Sequence, residues 1–251
     1  MSTTSDSWNH VACDLADHNL DLPDAQLYAV KAVHSVEDQA VQISLARLTT
    51  YDLRRMSNLA SYWDTLGWVY FRQGDLEKAQ KFIDAAWNLK QNREIGEHLA
   101  QIYEKHERKR EADHHRALAR ALPVPGDQIL PPLILRRDDG TYITSKPEQK
   151  ALAEELTNMR RTKLGKLSPQ PGRGEFFVLI APGGAVKDVE FIEGDEALLP
   201  LSSKLATLKF KAPIPDDAPV MLVRRGVLVC DPKNLECQFT LIPVDSVRST
   251  Q

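Results

Sequence analysis

No run of apolar residues in this chain approaches the ~18 that a membrane-crossing helix needs. The polar opening, residues 1–10, also lacks the apolar segment of a secretory signal. The expectation is a chain with no membrane span, cytoplasmic as written and periplasmic if it is a piece of a longer exported protein. Cysteine is scarce, with only Cys13, Cys230 and Cys237. That count excludes a disulfide-rich scaffold, and no CxxC pair offers zinc ligands. Charge of one sign is missing too: the formal net charge is −3, so no basic field draws the chain to nucleic acid. Phosphate-cradling loops of the GxxxxGK[ST] or GxGxxG type are absent. His114 and His115 are adjacent and so point to different faces of a helix, which does not build a metal site. Cys13 has His10 and His18 three and five residues away on a helical pattern, a spacing that assembles no nucleophile, base and orienting group. These absences leave a protein that is expected to be non-catalytic and to hold no cofactor or metal.

What is present is self-similarity. Trp63, Leu66, Gly67, Tyr70, Gly74, Ala79 and Ala86 set a pattern. A shift of 33 residues places Leu99, Ala100, Tyr103, Ala112 and Ala119 on the Leu66, Gly67, Tyr70, Ala79 and Ala86 positions. Small residues recur where two helices approach closely, and large ones where they fill the space between hairpins. A weaker copy lies upstream, with a first helix near residues 11–16 and Ala25, Ala29 and Ala32 on the second. Pro23 suits the first turn of that helix. An insertion of residues 35–57 separates this copy from the next, with more helix through Val36, Ala40, Ile43 and Leu48 that ends before Thr49.

This pattern resembles the tetratricopeptide repeat, most closely at residues 63–86. The resemblance implies stacked helical hairpins whose first helices line a concave groove. Its groove positions fall here on Asp64, Trp68, Phe71 and Arg72, then on Glu97, Gln101, Glu104 and Lys105, with His98 at the edge. Chaperone-binding members use Lys and Asn where this chain has Asp64, Trp68, Glu97 and Gln101, so that carboxylate clamp is missing. Trp68 and Phe71 are placed instead to anchor an apolar or extended peptide. In the competing reading the groove is filled by the chain's own insertion or C-terminal half.

Pro123, Pro125 and Gly126 break the helical pattern. Residues 1–122 are therefore expected to be the repeats, residues 123–174 a hairpin, a helix and a linker, and residues 175–251 a small α+β domain. The fold class is α+β: a helical-hairpin array followed by a mainly antiparallel sheet. Asp139-Gly140 reads as a tight hairpin turn. Pro147 opens a helix expected to run to about residue 163, and residues 168–174 read as linker. Strands are expected at residues 176–180, 186–192, 220–230 and 237–242, with Gly226 a bulge and Asp195 capping a helix. Cys230 and Cys237 flank a short turn between two strands. They are expected to form a disulfide if the protein is exported and to stay thiols in the cytosol.

Gly184, Val186, Val189, Phe191 and Ile192, then Lys209, Phe210 and Pro213, resemble the C-terminal domain of TonB-type energy transducers. Together with Trp63-Asp64-Thr65-Leu66-Gly67-Trp68-Val69-Tyr70, the whole resembles the C-terminal portion of bacterial transglutaminase-like multidomain proteins. The leading expectation is a scaffold that binds a protein or peptide segment in the groove. Its rival is a non-catalytic portion that positions substrate for a transglutaminase-like part.

Overall fold

The computed structural model describes residues 4–122, 133–168, 170–211, 214–215, 218 and 220–244. Six helices open it: α1 (Thr4–Asp17), α2 (Leu22–Ala40), α3 (Thr50–Gln73), α4 (Leu76–Leu89), α5 (Arg93–Lys105) and α6 (Lys109–Ala121). They pack as hairpins α1/α2, α3/α4 and α5/α6, each against the next. One chain reversal closes the first helix of every hairpin. After α3 it is Asp75 N–H to Tyr70 O at 2.9 Å and Gly74 N–H to Phe71 O at 3.0 Å, with Gly74 at φ +85°. After α5 it is Arg108 N–H to Tyr103 O at 2.9 Å and Glu107 N–H to Glu104 O at 3.0 Å. After α1 it is Leu20 N–H to Leu15 O at 2.8 Å and Asn19 N–H to Ala16 O at 3.1 Å. The turn thus survives without glycine, at the cost of holding Glu107 at φ +61°.

Capping fixes the starts. Thr49 and Asp52 exchange hydrogen bonds as a capping box, and Asp75 and Asn92 accept from Lys78 N–H and Ile95 N–H. Gly67 is required by proximity: a Cβ there would stand 2.5 Å from Ile83 Cγ1 and 3.1 Å from Ala79 O on α4. The insertion is an α2 prolonged to Ala40, a 3₁₀ turn at Leu45–Arg47 and an early start to α3. Ile43 and Leu48 are therefore outside any helix, contrary to expectation.

The second half contains β1 (Leu135–Arg136) paired with β2 (Tyr142–Ile143), then α7 (Lys150–Asn158), β3 (Arg161–Gly165), β4 (Gly172–Ile180), β5 (Val186–Gly194), α8 (Ser202–Leu205), β6 (Leu222–Cys230) and β7 (Cys237–Leu241). β3 to β7 form one antiparallel sheet in the order β3-β7-β6-β4-β5.

Several local expectations are corrected. α7 stops at Asn158, because residues 161–165 pair with β7 as an edge strand. Residues 172–174 are no linker: Gly172 and Gly174 lie opposite Cys230 and Leu228 in β4. Gly226 keeps unbroken register with Phe176 and Leu241, so it is not a bulge. It is glycine because a Cβ would sit 2.3 Å from Phe239 Cζ. Asp195 caps no helix; its carboxylate accepts from Arg173 N–H at 2.7 Å, and a 3₁₀ turn containing Pro200 follows. At the β1/β2 hairpin only Gly140 takes a positive φ. Cys230 and Cys237 face each other across β6 and β7 and are joined by a disulfide. Pro123, Pro125, Gly126 and Pro213 lie outside the described residues.

One apolar core runs through both halves, from Ala12 to Leu241. The seam is also tied by polar groups. Val223 N–H donates to Met56 Sδ at 3.3 Å, and Val244 N–H to Leu89 O at 2.9 Å. Arg160 donates to Gln91 Oε1 at 2.9 Å, to Gly140 O at 2.8 Å and to Leu241 O. Arg224 donates to Asn88 O at 3.3 Å, where the C-terminal end of α4 offers partial negative charge.

Candidate functional site

The first helices of the three hairpins, α1, α3 and α5, lie side by side. Side chains four apart on a helix share a face. Each of these helices contributes one such pair to the site: Cys13 and Asp17, Asp64 and Trp68, Glu94 and His98. Trp68 Nε1–H donates to Asp17 Oδ1 at 2.8 Å, and the Cys13 thiol lies 3.8 Å from Asp17 Oδ2. His98 Nδ1 lies 3.0 Å from Asp64 Oδ1. The Trp68 ring stacks on His98 at 4.2 Å and on Phe71 at 4.8 Å, and the Arg72 guanidinium stands 5.7 Å from its centre.

Three carboxylates therefore crowd one imidazole. Burial opposes a charged His98, but the Asp64 charge and hydrogen bond, backed by Glu94 and Asp17, raise its pKa above the ordinary value. Burial and then Asp64 raise the Glu94 carboxyl. The Cys13 thiol is pushed up to about 12 by burial and by the charges of Asp17, Glu94, Asp64 and Asp14. It is held protonated at neutral pH and so is a poor nucleophile. Among the described residues no three His, Cys, Asp or Glu side chains are placed to hold a metal ion.

The expected groove residues divide into three sets. Asp64 and Trp68 are buried at 6% exposure each, and Trp68 touches Asp17, Phe71 and His98 of its own array. Phe71, Arg72, His98 and Gln101 are half-buried and Lys105 is exposed, forming the accessible rim. Glu97 and Glu104 turn away toward α6: Glu97 lies 3.8 Å from both Arg116 and Arg120, and Glu104 2.9 Å from Arg116. The elongated α2 gives its Glu37 to Trp63 Nε1–H at 3.2 Å. Cys13, Asp17 and Glu94 join the site without having been foreseen. Their spacing of four was readable, but the insertion hid the register that aligns α1 with α3.

Comparison with protein families, with curated proteins and with solved structures finds no match to this chain. No helix among the described residues is long and apolar enough to cross a membrane.

Proposed function

We propose that this chain is a non-catalytic interaction module that holds a partner peptide along the concave face of α1, α3 and α5. A lysine or arginine side chain of that peptide is set against Asp17, Asp64 and Glu94. The observation that carries the reading is the convergence of three carboxylates on one histidine, in a field that keeps the Cys13 thiol protonated. A cation from a partner balances that field, and the half-buried Phe71 supplies an apolar contact beside it. The same field repels phosphate backbones, which argues against a nucleic-acid partner. The Cys230–Cys237 bond supports an oxidising compartment for the chain.

Selection of peptides from a random display library on the intact chain tests the reading. Enriched peptides should carry Lys or Arg, bind more weakly as salt rises, and lose about tenfold in affinity on Glu94→Gln or Phe71→Ala. Trp68→Ala is unsuitable as a probe because it opens the core. Enrichment without basic residues, or affinity untouched by both variants, would end the proposal.

A further inference from the structure

Charge on the face built by α3 and α5 changes sign along the helices. On α3, Asp64, Trp68 and Arg72 recur at every fourth position, and the Arg72 guanidinium stands 5.7 Å from the centre of the Trp68 ring. On α5, Glu94, His98, Gln101 and Lys105 follow one helical stripe, with Lys105 the last residue of the helix. Both helices thus pass from a carboxylate to a cation in the same direction. Arg72 and Lys105 are equivalent positions of the repeat. Each lies two residues beyond the tyrosine whose carbonyl closes its helix, Tyr70 accepting from Asp75 N–H and Tyr103 from Arg108 N–H. Arg72 is half-buried and Lys105 exposed. Among the described residues neither has a carboxylate at ion-pairing distance. Glu97 and Glu104, the acidic residues of α5 nearest to Lys105, are drawn away to Arg116 and Arg120 of α6.

We propose, resting on the reading of this face as a peptide site, that the segment held there carries two opposite charges at a fixed spacing. Its lysine or arginine meets the carboxylates, and an aspartate or glutamate about three or four residues away meets Arg72 and Lys105. The spacing follows from helix geometry. A rise of about 1.5 Å per residue puts Arg72 about 12 Å beyond Asp64 and Lys105 about 10 Å beyond His98. An extended chain covers that distance in about three or four residues. A carboxylate suits the basic end because the planar guanidinium can bond both of its oxygens. A second lysine in that place would meet like charge from two helices. The face therefore selects against a uniformly basic segment, which the carboxylates alone would accept.

A display library with one fixed lysine, randomised positions on both sides and no free terminus tests this on the intact chain. A matched library has glutamine in place of the lysine and no basic residue elsewhere. Aspartate or glutamate should be enriched at the third or fourth position on one side of the lysine. A synthetic peptide of the enriched sequence, blocked at both ends, should lose about fivefold in affinity when that acidic residue becomes its amide. Arg72→Glu and Lys105→Glu should turn the preference at that position to lysine or arginine, and the peptide so altered should recover affinity for the altered chain. Lys105 is exposed at a helix end, so its variant should keep the native urea midpoint and serves even where Arg72→Glu disturbs the Trp68 contact. Lysine-dependent binding with no acidic preference, or a preference that Lys105→Glu leaves unmoved, overturns the paired-charge proposal and leaves the peptide reading standing. Equal capture from the lysine and glutamine libraries overturns both.

Discussion

Replacing Asp64 by asparagine removes a charge from the concave face while keeping an oxygen for His98 to bond. Both side chains are nearly enclosed, at 8% and 13% exposure, and 3.0 Å apart. The folded chain raises the His98 pKa above its ordinary 6.5. A base whose pKa is raised on folding contributes stability that is fully present below its unfolded pKa. That stability is lost as pH climbs through the folded pKa. With asparagine the opposing effect of burial is left to dominate, and the contribution disappears. A charge-assisted hydrogen bond exceeds a neutral one by about 1–2 kcal/mol, so the native chain should lead the variant by about that much near pH 6. The lead should shrink steadily from about pH 6.5 upward. The assay is urea unfolding followed by circular dichroism from about pH 6 to pH 9, read as native minus variant. Subtraction cancels distant groups such as His114 and His115. Cys13, held up to about 12, does not titrate in the window. A difference that stays constant across that range would refute the electrostatic account of the site.

Gly67→Ala should destabilise by about 1–3 kcal/mol despite alanine's better helix propensity, because its Cβ meets Ile83 and the Ala79 carbonyl. An unchanged urea midpoint would contradict the close α3/α4 contact. Glu107→Gly should stabilise by about 1 kcal/mol, since the position already has φ +61°. Loss of stability on that change would show the turn to be held differently. Protein purified without reductant should present one free thiol, Cys13, and reduction should lower stability by about 2–3 kcal/mol. Three titratable thiols would rule the bond out.

The helical half was legible because its signals are redundant. Leu66, Gly67 and Tyr70 recur as Leu99, Ala100 and Tyr103, and Ala79 and Ala86 recur as Ala112 and Ala119. The sheet was less legible at its edges. Arg161 to Gly165 has Leu164 at helical spacing from Leu156, and only pairing with β7 makes it a strand. Gly226 illustrates a second limit: a glycine in a strand means either a bulge or a close neighbour, and the neighbour, Phe239, is on another strand. The rim residues Phe71, Arg72 and Gln101 followed from repeat register. The outward turn of Glu97 did not, because it depends on where Arg116 and Arg120 of α6 fall.

The buried charges differ in what accounts for them. Asp52 caps α3, and Glu175 pairs with Arg173 at 2.6 Å. Arg160 and Arg224 bond across the seam between the halves. Asp64 is another matter. It caps nothing, and its histidine partner is charged only over part of the pH range. A packed apolar pair would join α3 to α5 without the cost of desolvating a carboxylate beside two others. Sequences that keep such a conflict with local stability tend to do so where a site needs it. On this chain the conflict falls where the half-buried Phe71 and Gln101 and the exposed Asp17 and Glu94 surround the pair. An incoming ammonium or guanidinium there would neutralise what folding alone leaves unbalanced.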